Sequence, residues 1–245
     1  MIVVPYHLDE RLHGLEADLP GPPDRTVNVE LPDGDIWARL AALYDRAADA
    51  VAEEVAAGRR PVVVSGDCTV SLATVTGLQR AGVTPGVVWF DAHGDVQTLE
   101  TTTSGYIGGM PLRILVGYRP ELIADRLGLR PIPEERAVLA DARDLDPAEV
   151  DYLAGARLMQ YDIEEIQAPD GPFLVHVDLD VVDPSEVPGV LFPVDGGPTG
   201  SAVVAAVARL LATGRVVALD VACTWRPDGG DARRRDLVTA LTKGF

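Results

Sequence analysis

Two short runs hold most of the residues able to do chemistry. The first is Asp91-Ala92-His93-Gly94-Asp95, directly behind the apolar "VVWF"; the second is Asp178-Leu179-Asp180, inside "FLVHVDLDVVD". Either run alone reads equally well as a polar turn or a solvated strand end. Taken together they point to one place, because residues just past the carboxyl ends of strands in a doubly wound sheet share a crevice. Four carboxylates converging there would repel, and two or more would have to take up protons unless cations sat among them. Oxygen-rich donors with one imidazole, His93, suit Mn²⁺, or else Mg²⁺, Fe²⁺ or Zn²⁺, better than a structural Cys/His zinc site. Asp91, His93, Asp95, Asp178 and Asp180 are ligands enough for two ions, an arrangement in which water ionises near neutral pH.

A third run, "SGDCTV" from Ser65 to Val70, places Cys68 at a turn between a strand-like "PVVV" and a helix-like "SLATVTGLQ". Turns at strand ends are where side chains are presented for work. The chain's other cysteine is Cys223; two are too few for a disulfide framework and allow one bridge at most.

The elements that must position these runs alternate between two periods. Apolar strand-like runs ("MIVVPY", "PVVVSG", "GVVWF", "RAVLADAR", "RLMQYDI", "FLVHVDLDVVD", "RVVALDVACT") are interleaved with helix-period segments at 35–57, 69–80, 110–117, from 146, 200–214 and from 231. That alternation predicts an α/β fold with a mostly parallel, doubly wound sheet and helices on both faces. The Pro/Gly-rich stretch "PPDRTVNVELPDGD" falls too early to divide the chain and reads as a loop. A single domain over 1–245 is the expectation.

Composition excludes several classes of partner. With 245 residues, 47% hydrophobic and 24% charged, the chain can bury a substantial core. A formal net charge of −17 argues against nucleic acid and anionic membrane surfaces as partners. No stretch reaches the roughly 18 apolar residues of a spanning helix, and "MIVVPYHLDE" lacks a basic, apolar leader. A cytoplasmic location is expected.

At the carboxylate runs the chain resembles the arginase/agmatinase (ureohydrolase) family of binuclear manganese hydrolases. "DAHGD" and "HVDLDVVDPSEVPG" are similar to two of its signatures, and "SGDC" resembles a third except in its last letter, over roughly Val62 to Pro227. The resemblance implies a three-layer α/β/α sandwich and a homo-oligomer. It implies two Mn²⁺ per chain, with Zn²⁺ or Fe²⁺ admitted by a thiolate at Cys68. In that reading Asp91 and Asp178 bridge the metals, Cys68 and Asp95 complete one site, and His93 and Asp180 complete the other. "TTTSG" resembles the loop that holds a substrate α-carboxylate, through Thr102 and Ser104, with Gln97 standing where the family has Asn. "ARDLDPAE" resembles the segment that brings Asp146 and Glu149 to an α-ammonium. Hydroxyls suit a carboxylate and carboxylates an ammonium, whereas a turn and a helix cap are the plain readings of the same residues.

Three departures from the family pattern touch chemistry. Cys68 replaces a metal-binding His, and a soft anionic thiolate weakens its metal as a Lewis acid. Gly108 replaces a His that moves protons, and Cys223 replaces a Glu that grips the guanidinium. The first two, with "CTVSLAT" and "TTTSGYIGGM", resemble the Nω-hydroxyarginine hydrolase branch of the D-cycloserine pathway. The implied activity is metal-dependent hydrolysis of a guanidino-type amino acid, with Asp95 moving the proton: Nω-hydroxyarginine to hydroxyurea and ornithine, or arginine to urea and ornithine. A catalytically silent binding protein and a hydrolase of another C–N bond, such as formimino, stay open as alternatives.

Overall fold

The computed structural model describes residues 1–222 and 231–245, leaving aside the side chains of Ala17 and Asp18. Strand β1 (Ile2–Val4) opens the chain, followed by a small antiparallel hairpin of β2 (Tyr6–His7) and β3 (Glu10–Arg11) and by β4 (Arg25–Thr26). Then come α1 (Ile36–Ala56), β5 (Val62–Ser65), α2 (Ser71–Arg80), β6 (Gly86–Asp91), α3 (Pro111–Leu115), α4 (Ala124–Leu127) and β7 (Ala137–Asp141). The chain continues through α5 (Pro147–Gly155), β8 (Met159–Tyr161), β9 (Phe173–Asp178), α6 (Gly200–Leu211), β10 (Val216–Ala222) and α7 (Ala232–Thr242).

Among the described residues, eight strands form one sheet in the order β4-β1-β5-β10-β9-β6-β7-β8, and every neighbouring pair is parallel. Strands β5, β6 and β9 are buried along their whole length, as a sheet covered on both faces requires. One face packs on α1, α2, α3 and α4 through Leu43, Tyr44, Leu72, Leu78, Leu112 and Trp89. The other packs on α6 and α7 through Val203, Val207, Leu210, Val238, Phe173 and Val177. The result is the three-layer sandwich implied by the sequence.

Local sequence decides where the elements begin. Asp35 caps α1 by accepting from the Ala38 amide at 2.8 Å, and Thr199 caps α6 through the Ala202 amide at 3.2 Å. In α1 the buried side chains Leu40, Leu43, Tyr44, Ala47 and Val51 recur at helical spacing and define the face laid on the sheet.

Two expectations are refined. The stretch read as a loop carries β4, whose Arg25 and Thr26 pair with Ile2 and Val3 and extend the sheet by one short edge strand. Two residues, between Asp24 and Val27, are too few for a strand signal in sequence. The run "FLVHVDLDVVD" leaves the sheet at Asp178 and turns through a 3₁₀ segment, Leu179–Val181. The Asp178 carboxylate starts that turn by accepting from the Asp180 amide at 2.9 Å, drawing the backbone out of the ladder.

Candidate metal centre

Order in the sheet brings the three runs together. Strands β5, β10, β9 and β6 are consecutive neighbours, so Asp91 and Asp178, the last residues of β6 and β9, and Cys68, just past β5, emerge at one end of the sheet. The chain turns toward opposite edges on either side of these strands, and such a switch point opens a crevice at the carboxyl ends.

Each donor is aimed by its own turn. Asp67 caps the turn that presents Cys68, accepting from the Thr69 amide at 2.7 Å, and its other oxygen takes the Leu8 amide. Asp91 accepts from the His93 amide at 2.8 Å and from the Trp89 indole at 3.1 Å. Asp180 accepts from the Ala92 amide at 3.2 Å, tying the loop after β6 to the loop after β9. The Arg143 guanidinium donates to the carbonyls of Val181, Asp180 and Val194 at 3.0, 3.2 and 2.7 Å and pins the same turn from the β7 side. Asp95 sits at φ 53°, in the left-handed region that Asp tolerates better than most residues, and its buried Oδ2 has no hydrogen-bond partner among the described residues.

Two groups of donors have ligand atoms that all lie within 4.8 Å of one another: Asp91, His93 and Asp180, and Cys68, Asp91 and His176; Asp95 and Asp178 belong to neither. Asp91 belongs to both. The Cys68 thiol lies 2.8 Å from Asp178 Oδ2. Two donors bound at right angles to one cation through bonds of about 2.1 and 2.3 Å stand about 3 Å apart, so that spacing suits a shared ion.

The electrostatics are those of an acid cluster in need of cations. Burial, then the neighbouring Asp180, pushes Asp178 up to about 7. Burial, then Asp91, pushes Asp180 up to about 6 and Asp95 well above the usual carboxylate range. Burial and the surrounding carboxylates likewise raise the Cys68 thiol. Burial works against a charged His93, but its Nδ1 lies 3.1 Å from Asp180 and 3.2 Å from Asp91, and these bonds hold it protonated up to about 12. Without metal, protons and one imidazolium do the neutralising; the residues fit cations that would displace them.

Above this floor is a cleft of about 250 Å³ whose walls include Gln97, Thr102, Ser104, Tyr106, Gly108, Asp146, Glu149 and Phe192. Gln97 donates to Asp146 Oδ2 at 2.7 Å. Thr102 Oγ1 and Ser104 Oγ stand 3.5 Å apart at the rim. Glu149 is buried and already employed: its two oxygens accept from the Val96 and Asp146 amides, each at 3.1 Å, closing a capping box on α5. Tyr106 hydrogen-bonds His7 at 2.7 Å across the mouth, and Phe192, exposed, meets His93 edge-on with centroids 6.3 Å apart. A larger cavity of about 610 Å³, between Met1 and Phe245, has no carboxylate cluster and lies away from these strand ends.

The structure therefore brings Cys68, Asp91, His93, Asp95, Asp178 and Asp180 to the floor of one cleft and Gln97, Thr102, Ser104, Asp146 and Glu149 to its walls. Cys68 is a free thiol, and Cys223 lies outside the described residues. Sequence reasoning missed His176. The available signal was its position two residues before Asp178 in a strand, which puts both side chains on the same face.

A model of the Arginase family matches residues 15–227. The chain is 35% identical over 211 residues to the arginase of Bacillus caldovelox, covering 78% of this chain and 71% of that protein. It is 34% identical over 200 residues to the N(omega)-hydroxy-L-arginine amidinohydrolase of Streptomyces lavendulae, covering 77% and 69%. The solved arginase of Bacillus caldovelox superposes with a TM-score of 0.83 at 26% identity, covering 98% of this chain and 95% of that one. A formimidoylglutamase of Bacillus subtilis shares the fold, with a TM-score of 0.72 at 16% identity. Strand-end carboxylates, a parallel three-layer sandwich and matches spanning most of the chain agree, and the chain belongs to the arginase family of carbon–nitrogen hydrolases.

Proposed function

We propose that this protein hydrolyses the guanidino group of an amino acid at a two-metal centre, with an Nω-hydroxyguanidino substrate preferred over arginine. The observation that carries the reading is the cluster of four buried carboxylates under a cleft whose rim is polar and whose wall holds Gly108 packed under Tyr106.

Asp91 and Asp178 would be shared between two ions, Cys68 and Asp95 serving one and His93 and Asp180 the other; bound there, the ions supply Lewis-acid polarisation and lower the pKa of water. Manganese is the expected metal, with zinc or iron favoured to the extent that the Cys68 thiolate takes part. Thr102 and Ser104, at the exposed rim, offer hydroxyls to a substrate carboxylate. Asp146 offers its carboxylate to an ammonium, while Glu149, committed to two amides, holds Asp146 and the Val96 loop in place. Water attack on the guanidino carbon leaves one proton to be moved to the departing amine. Asp95 is placed to accept and return it: its Oδ2 is buried and has no hydrogen-bond partner among the described residues.

The hydroxyguanidino preference rests on Gly108 and Tyr106. Glycine offers no proton donor, and an N-hydroxyguanidine is less basic than a guanidine, so the substrate itself depends less on a side-chain acid to manage its protons. The similarity to the Streptomyces amidinohydrolase supports the same substrate, although the Bacillus caldovelox arginase matches as well, over 78% of this chain against 77%.

The test is release of hydroxyurea and urea from Nω-hydroxyarginine and arginine by protein loaded with Mn²⁺ or Zn²⁺. A kcat/KM higher for the hydroxylated substrate is expected. No turnover of either by protein that holds two metals would overturn the reading in favour of a silent binding protein.

A further inference from the structure

We infer that His176 is a ligand of the metal centre, so that the position occupied by Cys68 is a mixed sulfur–nitrogen site chemically unlike its neighbour. The inference rests on the centre proposed above and adds a donor to it.

His176 is fully buried in β9, and neither ring nitrogen has a hydrogen-bond partner among the described residues. A buried imidazole left so gives up hydrogen bonds it would make in water, and such a group calls for an explanation. One ring nitrogen lies within 4.8 Å of both the Cys68 sulfur and an Asp91 oxygen. Donors on opposite sides of one ion, with bonds of about 2.0–2.3 Å, stand about 4–4.6 Å apart, so the three fall close to the span of one coordination sphere.

The surroundings fix the ring. Parallel register aligns Trp89, His176 and Asp220 in one row across β6, β9 and β10. The Trp89 indole stacks on the imidazole with centroids 3.6 Å apart, and its N–H holds Asp91, so one side chain sets the positions of two donors. Behind the ring, Asp220 Oδ1 lies 3.8 Å from Nδ1, and Asp220 Oδ2 accepts from Thr74 at 2.8 Å. A carboxylate behind an imidazole is the usual means of orienting a metal-bound His.

The two positions then differ in softness. Thiolate and imidazole favour zinc, iron or cobalt, whereas Asp91, His93 and Asp180 suit manganese as well. A centre with one zinc-class and one manganese-class ion is expected from a mixture of the two metals.

Chelated protein titrated with Co²⁺ reads the thiolate-bearing position through its sulfur-to-cobalt charge-transfer band. Two cobalt ions per wild-type chain are expected, with the band lost or its midpoint weakened at least tenfold in His176→Asn and about tenfold in Asp220→Asn. An unchanged band and midpoint in folded His176→Asn would overturn the assignment, leaving His176 as packing for Trp89. If that variant does not fold, hyperfine-shifted imidazole N–H resonances of the cobalt wild type decide: two histidines support the assignment, one refutes it. Wild-type protein that binds no cobalt removes the centre itself and His176 with it.

Discussion

The ring of Tyr106 lies over the backbone of Gly108 so closely that a Cβ at 108 would overlap it, the nearest ring atoms being Cε1, Cζ and the hydroxyl oxygen. The absence of a side chain at 108 is thus one half of a packing pair, and Tyr106 fills the wall of the cleft there.

Gly108→His should therefore fail to create an arginase-like proton donor. Overpacking against Tyr106 is expected to cost about 1–3 kcal/mol, seen as a lower denaturant midpoint, with no gain in arginine hydrolysis. A stable Gly108→His protein with raised kcat on arginine would show that the ring yields.

Tyr106→Phe keeps the ring and removes the hydroxyl that meets His7 at 2.7 Å. If that pair carries protons between the cleft and solvent, kcat should fall about tenfold or more with KM little changed. Steady-state kinetics of the variant check it, and a change in KM alone would assign the hydroxyl to binding.

Asp91 belongs to both ligand groups and Asp180 to one. Asp91→Asn should lose both metals and Asp180→Asn chiefly one, as measured by elemental analysis after dialysis. Equal losses would remove the shared role of Asp91.

Asp146 and Glu149 are close neighbours with different employment. Glu149→Ala strips two amides of their acceptor and should destabilise by about 1–3 kcal/mol per amide left buried, lowering the thermal midpoint. Asp146→Ala, at the exposed rim, removes the N-cap of α5 and the acceptor of Gln97 and should cost less, about 1 kcal/mol, while raising KM for an amino-acid substrate about tenfold, roughly 1.4 kcal/mol of binding. Matching effects in the two variants would place both in one role.

The acid cluster makes metal-free protein less stable as pH rises. Asp178 and Asp180 go from an ordinary 3.8 to about 7 and about 6 in the folded chain, so the folded form holds protons that the unfolded chain releases. Their contribution is fully present below about pH 4 and is lost as pH rises to about 7. His93, raised from 6.5 to about 12, runs the same way above pH 6.5. Urea midpoints in chelator should fall across this window, and metal should reverse the trend because binding needs the deprotonated forms. A midpoint in chelator that rises from pH 5 to 7 would mean that the carboxylates are neutralised otherwise.

The resemblance to a family pointed to Gln97, Thr102, Ser104, Gly108, Asp146 and Glu149 in the cleft, and the sequence alone determined the alternating α/β order and the three strand-end runs. These were legible because a fully buried parallel strand is an unbroken apolar run, and a polar cluster directly behind one marks a strand's carboxyl end. Other features arise only when distant strands meet. His176 reads as one more strand residue until β6, β9 and β10 lie side by side and set Trp89 on one side of it and Asp220 on the other. Glu149 looks like a binding carboxylate until the fold hands it two backbone amides, and Gly108 looks like a simple loss until Tyr106 covers it. Local periodicity decides which face a side chain takes; its partners are set by strand order and register, which bring together segments a hundred residues apart.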